Sequence, residues 1–104
     1  MGGPTTKLNP DAPLRLRLDK WLWQARFFKT RAEAAALISK GRVRVNGARM
    51  SKAGHGITVD DVLTFPQADT IRVIRITALG VRRGPFTEAQ TLYIDLDAAP
   101  TPLE

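Results

Sequence analysis

The hydrophobic pattern changes its period at Gly41, and this change constrains the fold more than any other feature of the sequence. Before Gly41, the apolar residues of 31–40 are spaced as on one face of an α-helix. After it, basic and β-branched residues alternate through 42–45, which is the period of a strand with one buried face. Asn46-Gly47 then supplies a hairpin-turn signal. The pattern predicts a helix that ends at a left-handed Gly41, followed by a strand with valines inward and arginines outward.

Capping signals place two short helices ahead of that strand. Thr30 and Glu33 form a T-x-x-E capping box, in which each side chain satisfies a free backbone donor of the other residue. The second helix is therefore expected at 31–40. Asp19 is the expected N-cap of a first helix, because residues 20–28 contain no Gly or Pro.

Three further segments have the composition of strands. Residues 62–65 are apolar or β-branched, and Pro66 is expected to end that strand. Residues 71–79 are the richest in β-branched side chains. The alternation in 92–96 predicts a last strand with its leucines and isoleucine facing the core. Residues 50–56, which include two glycines, are expected to form a loop.

Taken in chain order, these segments indicate an α+β fold, in which two short N-terminal helices pack on a small antiparallel sheet of about four strands. The length of 104 residues suits a single domain. Both ends of the chain are rich in Pro, Gly, Thr and Ala without periodicity. We therefore expect flexible segments at 1–13 and 97–104 around a domain at 14–96.

The composition also bears on the compartment. Without cysteine, the chain forms neither disulfides nor thiolate metal sites. No apolar run approaches the roughly 20 residues that span a bilayer, and the first residues lack the apolar core of a secretory signal. These observations predict a cytoplasmic protein with no membrane partner.

Positive charge is concentrated in one part of the chain. Residues 14–52 contain eleven basic and two acidic side chains, a net charge of +9, whereas the remaining residues sum to −3. Like charges at this density repel one another in the folded state, which favours a polyanionic partner. Charge alone leaves a solvated basic face as the alternative.

The sequence lacks the groups of residues on which most enzymes depend. His55 is the single histidine, and Gly54 and Gly56 flank it. Asp60 and Asp61 are adjacent, so on a strand they would face opposite sides rather than share a proton. The glycines match no nucleotide phosphate-loop motif. We expect no enzymatic activity, no cofactor and no metal.

Phosphate-binding chemistry is instead present around residues 29–31. A guanidinium group donates two parallel hydrogen bonds to a phosphate, and the N-terminus of a helix adds free N–H groups and partial positive charge. Lys29, Thr30 and Arg31 stand at the expected start of the second helix. The sequence therefore predicts an anion-binding site there.

The stretch RLDKWLWQARFFKTRAEAAALISKGRVRVNG, residues 17–47, resembles the alpha-L RNA-binding motif, also called the S-four domain. In that family, two short helices followed by a G-x-V-x-V-N-G strand and turn form the RNA-binding face. The segment RRGPFTEAQTLY, residues 82–93, is similar to a branch of the family made up of bacterial heat-shock proteins. Asp60-Asp61 stands where the motif usually has Gly-Asp.

The resemblance implies a motif core at 17–65 with additional strands at 71–96, and it implies specific RNA contacts. Trp21 and Trp23 could stack on bases, but their helical spacing favours a core position for at least one of them. By position in the motif, the implied contacts are Arg17, Lys20, Lys29, Thr30, Arg31, Arg42 and Arg44. Charge and location add Arg26, Lys40, Asn46 and Arg49.

The implied function is binding of structured ribosomal RNA. For the heat-shock branch, the resemblance implies association with large ribosomal subunits that still carry a nascent chain on tRNA, in a heat-shock or ribosome-rescue role. A monomer is expected. Two alternatives stay open: a duplex-DNA-binding helix-turn-helix at 19–40, and a protein-interaction module. The tight link at 28–30 and the alanine-rich second helix disfavour the DNA alternative.

Overall fold

The computed structural model describes residues 15–96, which form a layer of helices packed on an antiparallel sheet. No helix within this range is long and apolar enough to cross a membrane. The predictions for 1–13 and 97–104 lie outside the described residues. The elements are β1 (Leu16–Arg17), α1 (Leu18–Gln24), α2 (Arg31–Ser39), β2 (Val43–Val45), β3 (Ala48–Met50), β4 (Gly56–Ile57), β5 (Val62–Gln67), β6 (Thr70–Ile76), α3 (Phe86–Ala89) and β7 (Tyr93–Asp95).

The central sheet has five strands in the order β3-β2-β5-β6-β7, and every neighbouring pair is antiparallel. The strands β1 and β4 pair separately. The α+β class with two helices ahead of the sheet is confirmed, with one more strand than expected. The core lies between the two layers, where Trp21 and Leu22 of α1, Ile38 of α2, and Phe65 and Ile74 of the sheet are almost fully buried.

The second helix and the hairpin follow the sequence prediction closely. Thr30 is the N-cap of α2, and its Oγ1 accepts a hydrogen bond from the N–H of Glu33 at 3.1 Å. The helix ends one residue earlier than expected, and Gly41 follows with a left-handed φ of +73°. Asn46 and Gly47 both have positive φ, which is the type I′ geometry that joins β2 to β3.

The first helix differs from its prediction at both ends. Asp19 is not the N-cap; it lies inside the first turn with its side chain buried, and Arg17 occupies the cap position. The helix ends at Gln24 rather than at residue 28, because Arg26 is left-handed with a φ of +66°. The N–H of Phe27 then bonds to the carbonyl of Leu22, which completes a Schellman ending without glycine.

The prediction that Pro66 ends its strand is wrong. β5 continues to Gln67, and Pro66 pairs with Ile71 of β6. On its other side, β5 pairs with β2 only at Leu63 and Thr64. At Pro66, β5 therefore has a neighbouring strand on one side only. The open side forms no hydrogen bonds with a strand, so a residue without an N–H is tolerated there.

The strand expected at 71–79 is shorter at its end, because the chain leaves the sheet after Ile76 to meet α1. The carbonyl of Ala78 accepts a hydrogen bond from Trp21 Nε1 at 3.0 Å. The carbonyl of Leu79 accepts one from Gln24 Nε2 at 3.1 Å. These two bonds satisfy buried polar side chains of α1, which a continued strand could not do.

The last strand is present, but its inward face was predicted wrongly. Leu92 is buried, yet it belongs to a 3-10 turn (Gln90–Leu92) that immediately precedes β7. Tyr93 packs toward the core, with its ring 4.6 Å from that of Phe27. Ile94 and Leu96 are exposed. Because the 3-10 turn ends at Leu92, the strand begins its alternation one residue later, so that Tyr93 rather than Ile94 faces the core.

Candidate nucleic-acid interface

The eleven side chains predicted to contact RNA all lie within the described residues, mainly at turns and helix ends. Ten of them are exposed, and Lys20 is half-buried on α1. Six of them form two groups: Arg17, Lys29 and Arg31 near the start of α2, and Arg42, Arg44 and Arg49 after its end. Since an α-helix rises about 1.5 Å per residue, the two cap residues of α2, Thr30 and Lys40, are roughly 15 Å apart along the helix axis.

The first group is organised by a buried acid, Asp19, whose residue is 3% exposed. Arg17 donates to both carboxylate oxygens, with Nε to Oδ1 at 3.0 Å and Nη2 to Oδ2 at 2.9 Å. Arg31 Nε lies 3.7 Å from Oδ1. The carboxylate therefore joins the strand β1, the helix α1 and the first residue of α2. We call Arg17 and Arg31, which Asp19 contacts, together with the exposed Lys29 two positions before Arg31, the helix-start cluster.

The charge state of Asp19 follows from opposing effects. Burial alone would raise its pKa, because a charged group loses hydration there. The hydrogen bonds and charge of Arg17, together with the charge of Arg31, outweigh burial and hold the pKa of Asp19 below its ordinary value. Asp19 is thus ionised at neutral pH, and it fixes two guanidinium groups at the start of α2.

Gly54 contributes to this arrangement by its lack of a side chain. A Cβ atom at Gly54 would lie 3.1 Å from Nη1 of Arg17, so the guanidinium group lies directly against the glycine backbone. Arg17 is consequently held from two directions, by the Asp19 carboxylate and by the surface of the loop 51–55.

The second group lies at the other end of α2. Arg44 and Arg49 are directly opposite each other in the β2–β3 register, and both are exposed. Arg49 Nε donates to the carbonyl of Gly41 at 3.0 Å, and Arg44 Nη1 donates to the carbonyl of Gly47 at 3.2 Å. Like charges paired across strands destabilise a hairpin, so this pair favours an anionic ligand. We call Arg42, Arg44 and Arg49 the hairpin cluster.

The exposed side chain of Asn46 is held by two hydrogen bonds. Its Oδ1 accepts from the N–H of Val62 at 2.9 Å, and its Nδ2 donates to Asp61 Oδ1 at 3.1 Å. The side chain thus connects the hairpin turn to the start of β5. Asp60, at the position where the motif usually has glycine, adopts a φ of +80°. The backbone at this position is therefore left-handed although the residue is not glycine.

Arg26 and the two tryptophans are tied to the later part of the chain. Trp21 is fully buried, which confirms the expectation of a core position for at least one tryptophan. Trp23 is half-buried, and the guanidinium of Arg83 lies 5.5 Å from its ring centroid. Arg26 Nε donates to the carbonyl of Gly84 at 2.7 Å.

Sequence reasoning missed the organising position of Asp19. Its placement before an amphipathic segment is the usual signal of an N-cap, and a cap would leave the carboxylate at the helix surface. The contact with Arg31 depends on how α2 packs beside α1, which no local pattern encodes. The alternation of acid and base in Arg17-x-Asp19 was the available hint, because it places complementary charges close together at the start of α1.

Comparison with known proteins gives concordant matches. The S4 domain family matches residues 16–63. Heat shock protein 15 of Escherichia coli K12 is 42% identical over 80 residues, which cover 77% of this chain and 59% of that protein. This chain thus spans about three fifths of the length of that relative. Small ribosomal subunit protein uS4 of Kosmotoga olearia is 31% identical over 86 residues, 83% of this chain and 41% of that protein.

A solved structure of a heat shock protein 15 matches this fold in three dimensions. Heat shock protein 15 of Vibrio cholerae, described as trimeric, superposes with a TM-score of 0.76 at 36% sequence identity, covering 80% of this chain and 83% of that one. The two helices, the hairpin and the added strands thus occur together in a relative of clear sequence similarity. This chain belongs to the heat shock protein 15 family of S4-domain proteins.

Proposed function

We propose that this protein binds structured ribosomal RNA through the helix-start cluster and the hairpin cluster. The observation that carries the proposal is that each cluster holds exposed guanidinium groups in fixed positions, Arg17 and Arg31 by Asp19, and Arg49 by Gly41. Groups that are already fixed lose little conformational freedom when they bind phosphates. Membership of the S4-domain family supports RNA as the ligand.

The separation of the two clusters favours folded RNA. Phosphates contacted at both ends of α2 lie roughly 15 Å apart, and a structured RNA presents backbone phosphates at such fixed separations. The exposed side chains of α2 between the clusters are three small ones, Ala32, Ala36 and Ser39, and one acid, Glu33. They offer few groups for reading base edges in a major groove, so the duplex-DNA alternative has no support from α2.

We further propose the large ribosomal subunit as the target, in the heat-shock or ribosome-rescue role that the family resemblance implies, including subunits that carry a nascent chain on tRNA. Such a role would place the protein in the cytoplasm with the ribosomes. Crosslinking in cell extract, followed by sequencing of the attached RNA, tests the target. A sharp peak in large-subunit RNA is expected; a peak confined to small-subunit RNA, or a diffuse signal, would contradict this target.

The expected monomer also stays a proposal, and a relative described as trimeric makes it worth measuring. Sedimentation equilibrium over a range of protein concentrations should give the mass of one chain, 11.5 kDa. A mass of three chains at the same concentrations would show that this protein assembles as its relative does.

A further inference from the structure

We propose that the loop 81–86, which includes Phe86, the first residue of α3, and lies beyond the residues matched to the S4 domain, is a second RNA contact that extends the helix-start cluster across the turn between α1 and α2. The inference deepens the proposed function and rests on it. It concerns a surface formed by Val81, Arg82 and Phe86, which none of the sequence predictions includes.

The loop is fixed to the end of α1 by its arginines and backbone. Arg83 Nε donates to the carbonyl of Trp23 at 3.0 Å, and its guanidinium lies over the Trp23 ring. Arg26 Nε donates in the opposite direction, to the carbonyl of Gly84. Two arginines thus cross-link the loop and the helix end, so the side chains that the loop presents to solvent have defined positions.

The loop presents two large apolar side chains and one guanidinium group to solvent. Val81 is 80% exposed and Phe86 is 59% exposed. The side chain of Arg82 between them is 65% exposed. Phe86 and Arg82 are four positions apart in this exposed segment, and RNA-binding surfaces use exposed aromatic rings and guanidinium groups to stack on unpaired bases. Neither the Val81 nor the Phe86 side chain fills the core, so both are free to contact a ligand.

The positive charge of the loop and its position next to the helix-start cluster favour RNA over an apolar protein partner. Three arginines lie in or against the loop, Arg26, Arg82 and Arg83, and the acid Glu88 pairs with Arg82, so these four groups carry a net charge of +2. Arg83 also reaches the carbonyl of Phe28 at 3.4 Å, next to Lys29 of the helix-start cluster. An RNA backbone bound at the start of α2 therefore meets this loop as it leaves the turn.

The test measures affinity for purified large-subunit ribosomal RNA over a series of salt concentrations. One variant is Phe86→Leu, which removes the ring and keeps an apolar side chain. The other is Arg82→Gln. Both positions are exposed, so the fold is retained, and thermal unfolding checks this. The matched control is Arg75→Gln, which removes an exposed guanidinium from the sheet face opposite the helices.

Phe86→Leu is expected to weaken binding about tenfold at every salt concentration, as loss of one stacked base does. Arg82→Gln is expected to lower the slope of log affinity against log salt by about one, the effect of one lost phosphate contact. Arg75→Gln should have a smaller effect than either. These results together would establish the loop as an RNA contact.

Two further measurements separate failure of this inference from failure of the proposed function. If Arg31→Ala weakens binding while both loop variants bind as wild type, the loop contact is overturned and the proposed function stands. If the wild-type protein does not bind the RNA, both are overturned. Loop variants that bind naked RNA normally but bind intact subunits weakly would assign the loop to a protein partner and also overturn the inference.

Discussion

Asp19 is the residue on which the proposed binding surface depends most. An acid in an RNA-binding surface repels phosphate, so its presence needs a compensating effect. That effect is the placement of Arg17 and Arg31, which approach one buried carboxylate from two elements. The arginines keep donors for the ligand because a guanidinium group has five N–H bonds, and the carboxylate uses two of those on Arg17.

For RNA affinity, this arrangement predicts the opposite of what net charge alone would predict when Asp19 is replaced. Asp19→Asn removes a negative charge, yet we expect RNA affinity to fall severalfold because Arg17 and Arg31 lose their fixed positions. The unfolding free energy should fall by about 2 kcal/mol, since a charged hydrogen-bonded pair is broken at a buried site. Equilibrium binding and urea denaturation of the same preparation measure the two effects.

The control is Asp69→Asn, which removes an exposed acid from the turn between β5 and β6. Its RNA affinity should stay level or rise slightly, because one repulsive charge is gone. Equal or tighter binding by a folded Asp19→Asn variant would contradict the positioning role.

Asp19 should also give the protein a defined acid sensitivity. Its pKa is lowered on folding, so its ionised form contributes stability that is complete above the unfolded-state pKa of about 3.9. The contribution is lost as the pH falls through the lower folded-state value. We expect the stability difference between wild type and Asp19→Asn to hold at neutral pH and to shrink below a pH of about 4. A difference that stays constant into this acid range would be inconsistent with the lowered pKa.

Among the elements, the β2–β3 hairpin places the second group of arginines. Its turn requires left-handed backbone at both Asn46 and Gly47. A Cβ atom at Gly47 would meet no atom within 4 Å, so any cost of a side chain there arises from backbone conformation alone.

Gly47→Ala is therefore expected to lower the unfolding free energy by about 1–2 kcal/mol, the penalty of an ordinary residue in this conformation. Gly47→Asn is the matched control and should cost clearly less, because asparagine tolerates the left-handed region. Urea denaturation midpoints of the two variants give the comparison. Equal midpoints for both variants and wild type would show that the turn does not constrain the hairpin.

The elements also show which structural features were predictable from sequence. Thr30 and Gly41 act through bonds within a few residues and Asn46-Gly47 through local backbone conformation, and their predicted roles in capping and in the turn are confirmed. The end of α1 was not predictable, because a left-handed Arg26 is stabilised by Gly84, 58 positions along the chain. The inward face of β7 depends on a 3-10 turn whose local signal is weak.

For the whole molecule, the uneven distribution of charge is the feature that connects fold to function. The fold carries the basic half of the sequence on α1, α2 and the hairpin, while the later strands supply most of the sheet beneath them. The fold class was predictable, since hydrophobic period is a property of sequence, and the charge pattern predicts where the proposed surface lies. The division of the basic side chains into two clusters was not predictable, because it depends on which arginines meet Asp19, Gly41 and Gly47.

The central claim is that the two clusters act together on one RNA, and a double variant with one substitution in each cluster tests it most directly. Arg31→Ala combined with Arg42→Ala removes two exposed guanidinium groups, and surface changes of this kind shift stability by only about 0.5 kcal/mol each. Arg31→Lys combined with Arg42→Lys is the matched control, because it keeps both charges but not the guanidinium fork.

The measurement is the slope of log affinity for large-subunit ribosomal RNA against log salt concentration. The alanine double variant should bind at least about tenfold more weakly with a slope lower by about 1.5, whereas the lysine variant should keep the wild-type slope. An alanine double variant that is folded and retains both wild-type affinity and wild-type slope would contradict the proposed surface.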